Sequence, residues 1–388
     1  MEPVSQDRAP RLLYMDHLRV FLTVLVILHH AAITYGAPGG WYYREDPPNG
    51  LAAEVLLTLF VATNQAFFMG FFFFIAGYFT PQAYDRKGAA AFLSDRAKRL
   101  GIPLVVYALS IDPAMGYALR ASARGAGESP ADAFRAVMGG LPRIGVGPLW
   151  FVEILLIFSV VYVGVRLLAP YQQGSGTASQ TTARVPGFVR LAGCALALGV
   201  VSFAVRVRIP VGGSLPFPHI QPPYAAQYIA MFPLGVAAYR RGWLRAVPDR
   251  YARAAGWTVA ALIVFFFVLF GIGELASTPI GAYMGGWRWQ ALALALWEQA
   301  LGVAMIVLLL ATFRRRVNEA SAIGSRATAC AYAAYILHAP VLLGVSLACR
   351  GWEAGGLVKF VAVGPAVVAM TFALADVVRR LPGARAVL

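Results

Sequence analysis

Long apolar runs recur from one end of the 388-residue chain to the other. In lipid every backbone polar group must be satisfied within its own segment or sheet, so such runs fold as helices or closed barrels. A spanning helix takes about 20 apolar residues, range about 17–25. The roughly ten-residue alternation of a transmembrane barrel is missing. The sequence therefore predicts an all-α, polytopic integral membrane protein with about ten helices in one bundle. The spans are Leu18–Tyr35, Glu54–Phe79, Ile102–Leu119, Pro148–Ala169, Phe188–Val205, Tyr224–Tyr239, Gly256–Gly273, Arg288–Thr312, Thr328–Cys349 and Leu357–Val378. Asp112-Pro113 is expected to interrupt the third. Composition agrees: 59% of residues are hydrophobic and 13% charged, against about 45–50% and about 25% in soluble domains. Disordered chains and most soluble enzymes are excluded.

The formal net charge is +15. With the N-terminus inside, roughly twice as many Lys and Arg fall in inside segments as in outside ones, which is the positive-inside pattern. Basicity here orients a membrane protein, and no nucleic-acid partner is expected. Both termini are then cytoplasmic, in the cell (inner or plasma) membrane. Residues 1–17 form a cytoplasmic segment, 18–378 the ten-helix domain and 379–388 a cytoplasmic tail. Within the domain, 170–187, rich in Gly, Ser and Gln, reads as a flexible cytoplasmic linker. The first run is a retained helix, because Arg19, His29 and His30 interrupt its apolar core. The three cysteines are odd in number and lack metal spacing. His29 and His30 are adjacent and diverge, so no metal site and no bound cofactor are expected.

Charged and strongly polar side chains inside a bilayer are costly, and each is a functional candidate. Here they are Arg19, His29, His30, Asn64, Gln65, Asp112, Glu153, Glu298, Gln299, His338 and Asp376. Arg19 and His30 are eleven residues apart, so at about 100° per residue they share one helix face, about 16 Å apart along the axis. Arg19 then sits at the cytoplasmic end and His30 about halfway across a core of about 30 Å. Alone, Arg19 is equally a snorkelling anchor, His30 a hydrogen-bonded bundle histidine and Asp16 a helix N-cap. Arg96 and Arg99, at i and i+3, present two guanidiniums side by side, suited to a pyrophosphate or to anionic lipid head groups. The outer loops carry Trp41, Tyr42, Tyr43, Trp287 and Trp352, which suit sugar rings or an interfacial belt. A proton-coupled transporter also uses intramembrane His and Glu, but the matching broken segments of two repeat halves are not found.

Five stretches together resemble one family. Asp16-His17-Leu18-Arg19, ten residues and then His30 is similar to the R-x10-H motif of the membrane-bound acyltransferase-3 family. Arg96-Ala97-Lys98-Arg99 resembles its R-x-x-R signature, and Phe71–Phe79 its FF-x-[IL]-SG-[FY] stretch. Pro148–Glu153 and Tyr335–Pro340 resemble two further landmarks. The resemblance runs from Leu13 to Val378, nearest the stand-alone branch that includes the periplasmic-glucan succinyltransferase. The chain lacks a C-terminal hydrolase-like domain, so it is expected to act alone or with a separate partner. The acidic and glutamine tail of lipopolysaccharide O-acetylases is missing after Trp150-Phe151.

The resemblance implies an O-acyltransferase that moves an acetyl or succinyl group from cytoplasmic acyl-CoA to a hydroxyl of an extracytoplasmic or exported acceptor, a glycan or small molecule. Acyl-CoA is the donor substrate. Arg96 and Arg99 would meet its phosphates, and its pantetheine arm would carry the thioester to mid-membrane. There His30 acts as general base, on the face it shares with Arg19. Glu153, or alternatively Asp112, orients the ring. Trp41, Trp150, Trp287 and His338 are the candidate acceptor contacts. The bundle must then hold a cavity open at both ends. The sequence leaves the oligomeric state open.

Overall fold

A computed structural model describes residues 12–45, 47–123, 145–169, 185–245 and 247–388, with residues 129, 131, 132, 135 and 139 between. Most of the linker at 170–187 and of the segment at 1–17 lies outside the described residues. The described chain has ten long helices: α1 Leu13–Thr34, α2 Leu51–Lys87, α3 Ala89–Ser122, α4 Trp150–Leu168, α5 Phe188–Arg208, α6 Pro222–Arg240, α7 Asp249–Leu275, α8 Trp289–Arg316, α9 Ala322–Ala348 and α10 Gly356–Val378. Nine of them are long and apolar enough to cross a membrane. The other, α6, has 19 residues. It is less apolar because Gln227 and Tyr228 are buried inside the bundle rather than set against lipid.

Several boundaries differ from the expected ones. Helix α1 starts at Leu13, so residues 13–17 belong to the bundle, and Asp16 lies inside the helix rather than capping it. Helix α5 runs past Val205 and takes Arg206 into the bundle, where its side chain is fully buried. The third span is longer than expected and is not broken at Asp112-Pro113. It contains π-helical turns at Ala97–Gly101 and Tyr107–Ile111, each followed by a proline, Pro103 and Pro113. Proline clashes with the carbonyl four residues before it and offers no N–H. A π-bulge widens the backbone there and lets the helix continue.

Long-range contacts order the helix ends. At one end, Tyr14 and His17 of α1 meet Asn318 and Val317 after α8, and Tyr332 of α9 donates to the carbonyl of Arg99. At the opposite end, Asn49 bridges the carbonyl of Tyr35 and the N–H of Gly356, and Arg350 donates to Ser122 O. Successive helices thus alternate in direction, as ten spans require. We call these the arginine end and the tryptophan end.

The centre is knitted by α2, α6 and α8. Gln227 Nε2 donates to Ala66 O at 2.8 Å and to Gln299 Oε1 at 3.0 Å. Backbones come close where glycines permit. A Cβ on Gly77 would stand 2.0 Å from Phe232 O, and one on Gly235 2.1 Å from Phe74 O. Small residues let helices approach in lipid, where no hydrophobic force drives them together. The α9 helix starts at an N-cap, Ser321, whose hydroxyl accepts from Gly324 N at 2.9 Å.

Candidate active site

Helix α1 carries both halves of the candidate site. Near the arginine end, Arg19 is exposed and lies 4.0 Å from Asp16. The α3 helix brings Arg96 and Arg99 beside it, close enough for the charge of Arg96 to interact with both other guanidiniums. Asp95 holds Lys87 at 2.9 Å and Arg99 at 3.4 Å, which keeps the cluster from flying apart. Arg96 stacks over Phe92, with its Nε buried and without a hydrogen-bond partner. Arg19, Arg96 and Arg99, far apart in sequence, therefore form one basic group.

His30 is one turn from the tryptophan-end terminus of α1 at Thr34, not halfway along the helix. Its Nδ1 lies 3.1 Å from Nε2 of His338, 308 residues away. His338 is fully buried, and its Nδ1 lies 2.6 Å from the carbonyl oxygen of Tyr335. Trp41 lies flat across the pair: its ring is 3.7 Å from His30 with a 12° interplanar angle, and 5.8 Å from His338 at 16°. His29 points elsewhere, packs on Phe68 at 4.9 Å and keeps a buried Nδ1 without a partner.

Neither expected carboxylate orients His30. Glu153 accepts from the backbone N–H of His219 and pairs with its Nδ1 at 2.9 Å. Asp112 accepts from Tyr42 O–H at 2.5 Å. Burial, above all, with Tyr107 and Asp112 adding to it, holds the Tyr42 phenol far above the usual tyrosine range, so it stays a donor. The reason is topological. Glu153 lies where the loop before α6 folds back over α4, and that loop supplies its partner. His338, expected at the acceptor, is instead the partner of His30.

A cavity of about 760 Å³ opens at the tryptophan end and takes in His29, His30, Trp150, Tyr224, Tyr228, Glu298 and Tyr335. Trp150 is thus on the cavity wall. Trp287 is not: it is 82% exposed and packs near Phe203. Glu298 is held from behind by Arg206, whose Nη2 lies 2.5 Å from Glu298 Oε2. A buried ion pair needs such close pairing to offset the loss of solvation. Sequence reasoning missed Arg206 because the span seemed to end one residue earlier. The cavity reaches Val26 and Met69 but none of Arg19, Arg96 and Arg99. Leu18, Leu22 and Phe71 are fully buried in the large apolar cluster of the bundle. The expected opening toward the arginines is thus not part of this cavity. Among the described residues no cluster of His, Cys, Asp or Glu is arranged to hold a metal.

A helical bundle with gathered guanidiniums at one end and, at the other, a cavity lined by His30, itself paired with His338, defines a multi-pass membrane protein with an internal polar site. The chain belongs to the acyltransferase-3 family: the family's model, described as an acyltransferase domain, matches residues 12–380. It is thus a membrane acyltransferase. It is 24% identical over 352 residues to glucans biosynthesis protein C of Salmonella gallinarum, covering 88% of this chain and 84% of that protein. To the protein of that name from Salmonella paratyphi A it is 25% identical over 349 residues, with the same coverage. No solved structure matches the chain.

Proposed function

We propose that this protein transfers an acyl group of the acetyl or succinyl class from cytoplasmic acyl-CoA to a carbohydrate hydroxyl outside the cytoplasm, in the inner or plasma membrane. The observation that carries the reading is the arrangement on α1: a basic cluster at one end and His30, facing a large cavity, at the other. The family supplies acyl transfer, and the names of the relatives point toward a glucan. Guanidiniums are the side chains suited to the donor's phosphates. An imidazole nitrogen of His30 takes the proton of the acceptor hydroxyl as its oxygen attacks the thioester carbonyl carbon. A C–O bond forms, the C–S bond breaks, and the leaving thiolate takes the proton from His30. The products are an ester and CoA thiol. Aromatic walls at Trp150, Tyr224 and Tyr228 suit the flat faces of sugar rings.

General base catalysis is typically worth about 10²–10⁴-fold. His30→Ala should therefore abolish transfer while the protein still inserts. Mass spectrometry of surface and secreted glycans, from cells with the wild-type gene and with His30→Ala, reads this directly. An acyl mass on carbohydrate in the wild type alone is expected. Its persistence in His30→Ala overturns the base assignment, and its absence from wild-type glycans overturns the carbohydrate acceptor.

A further inference from the structure

We infer that His338 is a positioning residue that fixes the tautomer of His30, leaving Nε2 of His30 as the bare nitrogen that faces the acceptor. The inference rests on the reading of His30 as the base, and follows from counting protons along one chain of contacts. A carbonyl oxygen only accepts. Nδ1 of His338, 2.6 Å from Tyr335 O, must therefore carry a proton. In a neutral imidazole the other nitrogen then has none. So Nε2 of His338 accepts, and the donor across the 3.1 Å contact is Nδ1–H of His30. His30 in turn is left with an unprotonated Nε2.

The opposite assignment needs a doubly protonated His338. That cation would sit at a fully buried site whose contacts are Tyr335, His30 and Trp41, none of them an anion. An unpaired buried charge is far more costly than a neutral ring. The carbonyl that anchors the relay is part of the α9 backbone, so the proton pattern is set by a rigid element rather than by a mobile carboxylate. The ring planes of His30 and His338 differ by 9°, and Trp41 covers both. His338 thereby takes the orienting role expected of Glu153 or Asp112.

When His30 Nε2 accepts the hydroxyl proton, the ring becomes an imidazolium whose Nδ1–H still points at a lone pair on His338. The relay thus stabilises the charged form during transfer and restores the same tautomer when the proton leaves with the thiolate.

Two variants and one spectrum test this. Gln at 338 offers an amide oxygen to His30 Nδ1–H, whereas Leu offers no acceptor. His338→Leu should lower the transfer rate by between about 10-fold and about 10⁴-fold, the upper figure being the loss in a serine-protease triad held in the wrong tautomer. Its affinity for acetyl-CoA or succinyl-CoA should not change, and His338→Gln should recover most of the rate. Equal loss in Gln and Leu, in proteins of equal thermal stability, overturns the relay. So does full activity in Leu. Nitrogen NMR of histidine-labelled protein in nanodiscs, with His30 assigned from His30→Ala, reads the resting tautomer without an activity assay. A protonated Nδ1 and bare Nε2 on His30 are expected, and a protonated Nε2 overturns the inference. If instead His30→Ala stays active while the tautomers are as expected, the relay stands and the base assignment falls.

Discussion

At the residue scale three arginines make up the proposed donor site. Arg19, Arg96 and Arg99 converge although only the last two are close in sequence, and repulsion among them is relieved by Asp16 and Asp95. Such a cluster suits a polyanion. A guanidinium grips phosphate with two parallel N–H donors, and an ammonium acts as a point charge. Arg96→Ala with Arg99→Ala should therefore raise the Kd for a non-hydrolysable acyl-CoA by about tenfold or more, and paired Lys substitutions should recover only part. Calorimetric titration of purified protein checks it. Unchanged affinity in the double variant would return these residues to the role of lipid anchors. Reading Arg96 and Arg99 as a pair needed only their spacing. Their union with Arg19 depends on the tertiary arrangement of the helices, which no local pattern encodes.

At the element scale, the interface of α2 with α6 rests on contact between backbones. Gly77 and Gly235 lie where any Cβ would strike a carbonyl of the facing helix at about 2 Å, and backbone cannot yield as a side-chain tip does. Gly77→Ala should lower the melting temperature in detergent and cut the yield of folded protein. Gly271→Ala, where a Cβ meets nothing within 4 Å, is the matched control and should leave both unchanged. Thermal shift on the two purified variants decides. Equal stability of the pair would show that α2 and α6 slide apart at little cost.

The same scale separates what was legible from what was not. Ten helices could be read because lipid demands an unbroken apolar run from each, a local signal. The start of α3 at Ala89 could not, because the charged stretch from Asp95 to Arg99 separates its short apolar first turns from the long apolar run. The π turns escaped notice for a related reason: proline announces a break, and only the fold reveals whether a bulge absorbs it. His30 stood out as a polar residue in an apolar helix, yet its partner is 308 residues away. Glu153 stood out equally, and its expected role failed because a loop histidine, His219, reaches it first. Trp287 read like Trp150, but exposure separates it from the cavity only in three dimensions.

At the scale of the whole molecule, sidedness decides whether donor and acceptor can enter from opposite faces. The alternation of ten helices puts Arg19, Arg96 and Arg99 at one end and the cavity mouth, with Gly40 on its wall, at the other. Charge counting assigns the arginine end to the cytoplasm. In the proposed reaction the donor then enters from inside and the acceptor from outside, and the two meet at His30. Single cysteines at Gly40 and Ser175, in a chain without Cys194, Cys330 and Cys349, test the orientation in intact cells. A membrane-impermeant thiol reagent should label the cysteine replacing Gly40 and leave the one replacing Ser175 untouched until the membrane is opened. The reverse pattern would set the basic cluster outside, away from cytoplasmic acyl-CoA. Transfer across the bilayer from that donor would then be untenable, and the buried histidines and Glu298 would need a different explanation, as in a proton-coupled carrier.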